Sequence, residues 1–244
     1  MNARIRIAIV LIALSLVAAS VAFAQQGDKL GKVQFQNSCS PAVQEKFLRG
    51  VAMLHSFYYS AAQKAFEEVA VEDKSCAIAA WGYASILMSN PLQGIGASLK
   101  SAELAQAAIV KGRSMGAKTQ REREYLEAVA AYYKDFAGRP ERARQLARAK
   151  AYEALAAKYP DDDEAQIFYA LYLIGTQTAS DQTYSAYLKA AGILEKQFAK
   201  HPDHPGVAQH RRGCPPSPRA SPDPPHVAPP VASYADHRQR GSGP

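Results

Sequence analysis

Three histidines have neighbours that could make them chemically active. His55 is followed by Tyr58 and Tyr59. Its imidazole could bind a ligand or exchange a proton near neutral pH, or it could simply pack among aromatic rings at a helix C-terminus. His201 and His204 flank Pro202 and an aspartate. A metal site needs three or four converging ligands, so we expect this pair to lie in an ordinary loop.

Two cysteines could form a covalent bridge. Cys39 and Cys76 each precede a predicted helix, and the two helices are expected to run parallel in stacked hairpins. Their N-termini would then be neighbours, and a disulfide would be stable in an oxidising compartment. The alternative is two buried free thiols. Cys214 lies in the C-terminal tail and is expected to be unpaired.

Charged side chains give little indication of catalysis. One segment is rich in basic residues: Arg139, Arg142, Arg144, Arg148 and Lys150. These residues could bind an anionic partner, although a solvated helix face is the expected interpretation. The acidic run 161–163 is explained by helix capping. No nucleophile–base pair, phosphate loop or paired carboxylates are recognisable, so we expect no cofactor and no enzyme, although a triad assembled in space would escape notice.

The N-terminus has the pattern of a targeting segment. Residues 1–6 are basic, 7–21 are almost entirely apolar, and Ala22-Phe23-Ala24 follows. This order predicts a secretory signal peptide over 1–24, followed by an extension over 25–40. The alternative is an uncleaved anchor, but the apolar run is shorter than the roughly 20 residues of a membrane span. We therefore expect a periplasmic or secreted bacterial protein with no membrane span after cleavage.

The net charge of +7 belongs mostly to the two ends of the chain. Residues 25–207 carry 22 basic and 20 acidic side chains. Nucleic-acid surfaces need clustered cations that displace counterions. This balance argues against a nucleic-acid partner.

A recurrent unit of 42–43 residues organises the middle of the chain. Similar helix ends followed by breaks occur at Lys74, Pro160 and Pro202, and the spacing places a further junction near Ala117. This period is typical of a helical-repeat solenoid. Two helices are expected in each unit and no sheet; the predicted ranges are 41–56, 59–72, 76–89, 97–115, 119–136, 140–158, 161–175 and 180–200.

Small and large residues alternate as they do in a known repeat. Gly50, Ala62 and Phe66 are spaced by 12 and then 4 residues, and Tyr152 precedes Pro160 by eight. This pattern resembles the tetratricopeptide repeat, although the unit is longer than usual and Lys74 stands where proline is expected. The resemblance implies a right-handed α-α superhelix of about four hairpins over 41–205. Segments 54–58 and 76–82 are also similar to secreted bacterial members with largely undefined roles.

The resemblance also implies a function. First helices of such repeats line a concave groove that binds peptides, so the candidate groove or ligand residues are His55, Tyr58, Trp81, Tyr132 and Tyr169. We expect an exported scaffold that binds a protein or peptide. The alternative is a small-ligand or metal-binding protein, or an enzyme, with a pocket near His55. A truncated product without function is the third interpretation.

The tail over 206–244 departs from the repeat pattern. It is rich in proline and arginine and has few large apolar residues, so we expect disorder. It is either natural or the result of a shifted reading frame within a longer repeat protein. In both cases helix 180–200 would lack a polar cap, and its apolar face would favour self-association.

Overall fold

A computed structural model describes residues 30–211, and its regular structure is helical throughout. No strand occurs between these residues, so the described chain is all-α. After a 3₁₀ turn at Pro41–Val43 the helices are α1 (Gln44–His55), α2 (Tyr59–Glu72), α3 (Ala79–Leu87), α4 (Leu99–Met115), α5 (Gln120–Tyr133), α6 (Glu141–Lys158), α7 (Asp163–Ile174), α8 (Ser185–Lys200) and α9 (Pro205–Arg211).

Local hydrogen bonds explain where helices begin. Thr119 and Glu122 form the reciprocal capping box that the sequence predicts before α5. Helix α3 begins at 79 instead of 76, because Ala79 N–H donates to the Cys76 carbonyl in a tight turn. Helix α8 begins at 185 instead of 180, because Asp181 accepts the N–H and hydroxyl of Thr183 and holds a turn.

The helices pack in sequence order, and the chain then returns to its start. Each helix contacts the next, α1 contacts α3, and α3 contacts α5. Asp162, the N-cap of α7, accepts from Arg121 Nε (2.6 Å) and Tyr125 OH (2.9 Å) of α5. Helix α9 contacts both α7 and α1. The odd-numbered helices therefore surround one common interior.

Aromatic side chains and the N-terminal segment fill that interior. Trp81 Nε1 donates to Tyr152 OH at 2.7 Å. The extended segment 31–40 crosses the helix ends, where Ser38 N–H donates to Glu122. From this segment Phe35 inserts between Phe47, Trp81 and Tyr125 and is 2% exposed. The inner face is consequently a packed core.

Glycines allow the first hairpins to approach closely. A Cβ atom on Gly50 would lie 3.1 Å from the Phe66 ring, and one on Gly82 would overlap the same ring. Phe66 and Ala62 are buried. These are the positions at which the repeat pattern places small residues beside an aromatic ring.

Prolines mark the later junctions. Pro160 and Pro202 lie in turns after α6 and α8, where the repeat alignment predicts breaks. Tyr152, eight residues before Pro160, is buried.

The prediction of a disordered tail is wrong for residues 206–211. Pro205, at the first helical position, starts α9, which buries Val207 and His210 against the body. Residues 212–244, including Cys214, and the predicted signal peptide 1–24 lie outside the described part. Within residues 30–211 no helix combines the length and apolarity that a membrane crossing needs.

Helix α8 has the partly covered apolar face expected near the end of a repeat array. Ala191 and Leu194 are buried, whereas Tyr184, Leu188 and Phe198 are exposed. Self-association through this face stays a prediction.

Candidate metal centre

Four buried ionisable side chains meet where the last helix returns to the first. His55 ends α1, Glu164 lies in the first turn of α7, His204 lies in the α8–α9 junction, and His210 belongs to α9. Their exposed fractions are between 0% and 4%. We call these four residues the histidine–glutamate cluster.

Glu164 is the centre of the cluster. One carboxylate oxygen lies 2.8 Å from His55 Nε2, and the other lies 2.7 Å from His204 Nε2. The first turn of a helix favours a negative charge, because unpaired N–H groups point towards it. The helix therefore helps to hold an ionised carboxylate inside the protein.

The position of the His55 imidazole is fixed by packing. The His55 ring stacks on Phe168 with centroids 4.3 Å apart. Gly206 lies so close that a Cβ atom there would be 2.5 Å from His55 Nδ1. Only glycine allows α9 to approach in this way.

The pKa values favour an ionised Glu164 beside neutral His55 and His210 rings. Burial alone would raise the pKa of Glu164, but His55 and His204 outweigh it and lower the pKa to about 2. Burial lowers the pKa of His55 despite its contact with Glu164. It lowers the pKa of His210 further, with His55 acting in the same direction.

These charge states assign the protons of the cluster. An ionised carboxylate can only accept, so His55 and His204 each donate an Nε2–H to Glu164. His204 Nδ1 then accepts from Gly206 N–H at 3.1 Å. His55 Nδ1 faces His210 Nε2 at 3.4 Å, whereas His210 Nδ1 has no hydrogen-bond partner in the described structure.

The donor set is suitable for a transition metal. One ligand atom each from His55, Glu164 and His204 can be chosen so that all lie within 4.8 Å of one another. Ligands of a tetrahedral zinc ion at its usual bond lengths are about 3.3 Å apart. Small side-chain movements would thus place these three atoms at bonding distance from a single ion.

A pocket gives access to the cluster from one side. Its volume is about 180 Å³, and Glu164 and His204 contribute to its wall. The other lining residues are Lys32, Gln34, Asp163, Lys200, His201, Pro202 and Asp203.

Sequence reasoning found only part of this site. It selected His55 and placed His204 in a junction loop, where the residue lies, but it did not predict that His204 is buried against Glu164. It missed Glu164 and His210. The signal for Glu164 was an acidic residue one helical turn before Phe168, on the same face of α7; nothing in the local sequence distinguishes His210.

The predicted cysteine pair is joined in the structure. Cys39 and Cys76 form a disulfide with their Cα atoms 4.6 Å apart. Asp73 lies beside it and accepts Ser40 N–H at 2.6 Å, which fixes the chain just before the 3₁₀ turn at Pro41–Val43.

The groove expectation requires a correction. Trp81 and Tyr132 are 0% exposed and Tyr169 is 6% exposed. The hydroxyls of Tyr132 and Tyr169 donate to α6, at Glu141 and Glu153 respectively. Tyr58 is 60% exposed, but it lies at the α1–α2 turn. These residues do not line an open peptide-binding groove.

The expectation of a solvated basic face on α6 also fails at Arg148. This side chain is 1% exposed, and its guanidinium lies over the Tyr172 ring at 4.2 Å. Arg139 and Arg144 instead donate to backbone carbonyls around the α5–α6 turn. These arginines stabilise the fold and do not form an anionic-partner surface.

Comparison of the chain with protein families, curated proteins and solved structures finds no match.

Proposed function

We propose that this protein binds a divalent transition metal, zinc in the first instance, at the histidine–glutamate cluster. His55 Nε2, His204 Nε2 and one Glu164 oxygen would be the ligands. The observation that carries the proposal is the convergence of these three donors, from sites 40 to 149 residues apart, in a buried position. Nitrogen and carboxylate ligands of this kind suit zinc, and three protein ligands are typical of open zinc sites.

Charge balance supports the proposal. Among residues 30–211, the recorded ion-pair partners of Glu164 are the two histidines. The lowered pKa of His55 keeps that ring neutral at neutral pH. Burial of an incompletely compensated carboxylate is costly. A divalent cation would supply the missing positive charge.

The cost of loading the site is small. A metal needs the Nε2 lone pairs, so the proton of each ring must move to Nδ1 or leave. On His55 the Nδ1–H can then donate to His210. On His204 the Nδ1–H would face Gly206 N–H, so the present hydrogen bond from Gly206 N–H to His204 Nδ1 would be lost. Loss of this bond costs about 0.5–1.5 kcal/mol. Structural zinc sites gain roughly 10–16 kcal/mol, so a weaker three-ligand site can still offset this loss.

The experiment is a titration of the metal-free full chain with Co²⁺, followed by its visible absorption. We expect one ion per chain and a loss of affinity of more than about tenfold in Glu164→Gln and His204→Gln. His201→Gln is the matched control, because His201 pairs with Asp163 outside the cluster. Circular dichroism checks that the variants fold. Absence of stoichiometric binding, or equal affinity in Glu164→Gln, would refute the proposal.

The fold and location are part of the same proposal. Sequential helix packing and the close approach of Gly50 to Phe66 support a tetratricopeptide-like superhelix. The Cys39–Cys76 disulfide supports export, because such bonds persist in oxidising compartments. The alternative of a peptide-binding scaffold has less support, because the inner face is filled.

A further inference from the structure

The histidine–glutamate cluster is closed on most sides by the protein itself. Phe168 covers one face of His55, and α9 brings Gly206 and His210 against its Nδ1 edge. The pocket of about 180 Å³ touches Glu164 and His204 but is not lined by His55. A molecule that enters this pocket would therefore meet the cluster beside two of the three proposed ligands.

The pocket wall carries a cation, Lys32, that forms no ion pair within residues 30–211. Asp163 is already paired with Lys200 (2.9 Å) and His201 (2.6 Å). Lys32 has no ion-pair partner recorded among residues 30–211, and its backbone N–H donates to the Asp203 carbonyl. This backbone bond fixes the start of the N-terminal segment at the edge of the pocket.

The size of the pocket limits what it can hold. Water occupies about 30 Å³ per molecule in the liquid. The available volume of about 180 Å³ thus corresponds to a few waters or a small organic anion.

We infer that the metal keeps one coordination position open towards this pocket, and that a small oxyanion binds there with Lys32 as its second contact. The inference rests on the proposed metal site. Three protein ligands leave a fourth position of a tetrahedral ion for water or an exogenous ligand. A carboxylate or an inorganic phosphate offers the required oxygen donor, and its negative charge suits both the metal and the ammonium group.

The test uses the Co²⁺-loaded full chain, titrated separately with acetate and with inorganic phosphate. We expect the visible absorption to change saturably with at least one of them, and the stronger response identifies the source of the oxyanion. Lys32→Gln should weaken anion binding by about fivefold, the range of a partly exposed ion pair. Lys196→Gln is the matched control, because Lys196 is exposed on α8 and does not line the pocket.

Each outcome is decisive. If the Co²⁺ spectrum does not change when either anion is added at 100-fold excess over the protein, the site is closed. This result would overturn the anion-binding inference and leave the metal proposal standing. Equal anion affinity in Lys32→Gln and the parent would also overturn it, because the anion would then bind elsewhere. Failure of Co²⁺ to bind at all overturns the metal proposal and this inference together.

Discussion

The role of a single residue in this protein depends on which side chains lie next to it in the fold. Glu164 is an acidic residue in a helical first turn, yet two imidazoles on its carboxylate make it the centre of a buried cluster. Arg148 belongs to a run of basic residues but lies under aromatic rings. Side-chain type predicts neither placement, because burial of a charge depends on partners that are distant in sequence.

Asp73 provides a prediction of pH-dependent stability. Hydrogen bonds from Ser40 N–H and the Ser75 hydroxyl lower the pKa of Asp73 below its usual 3.8. The unfolded state therefore binds the proton first as the pH falls. The stabilisation is present above pH 3.8 and is lost as the pH drops through the folded-state pKa.

Asp73→Asn should consequently lower the free energy of unfolding at pH 7 by about 1–2 kcal/mol. The difference from the parent should shrink towards pH 2, as measured by urea denaturation across pH. Asp161→Asn, at an exposed position, is the control and should change stability little. A difference that is independent of pH would contradict the argument.

The positions of the helices are the feature that the sequence predicts best. The periodicity predicts eight helices over 41–200, and the structure has a helix within each predicted range. The bounds at α3 and α8 differ by several residues, because turns at Cys76 and Asp181 take up the first positions. Short-range hydrogen bonds decide such ends and are weakly encoded by periodicity.

Close packing of α1, α2 and α3 depends on a glycine. A Cβ atom on Gly82 would overlap the buried Phe66 ring, so Gly82→Ala should destabilise the protein by about 1–3 kcal/mol. Gly192 on α8 has no atom within 4 Å of its would-be Cβ. Gly192→Ala should therefore stabilise by roughly 0.5–1 kcal/mol. Thermal unfolding of both variants checks the contrast, and equal shifts would contradict it.

The proposed site would join the first and last helices of residues 30–211. Its ligands come from α1, from α7 and from the α8–α9 junction. A bound ion would thereby connect the first helical pair with the last helix, in addition to the contacts of α9 with α1. Metal binding should therefore raise the free energy of unfolding of the helices that it connects.

Removal of the metal should be visible in thermal unfolding. At a free-metal concentration 100 times the dissociation constant, binding stabilises by about 2.7 kcal/mol. We therefore expect EDTA to lower the Tm of zinc-loaded protein by about 5–10 °C. Glu164→Gln treated in the same way should show no shift. An unchanged Tm in the parent protein would argue against a metal that joins these helices.

The sequence by itself determined the helical class, the order of the helices and the small residues between the first of them. These follow from periodicity, caps and breaks within a few residues, and these local preferences survive in the fold. It also selected His55 and the cysteine pair. Only the tertiary structure decided that α9 returns to α1, which closes the expected groove and places His204, His210 and Glu164 around His55. That closure depends on the angles accumulated over every helix pair, and no local pattern specifies their sum.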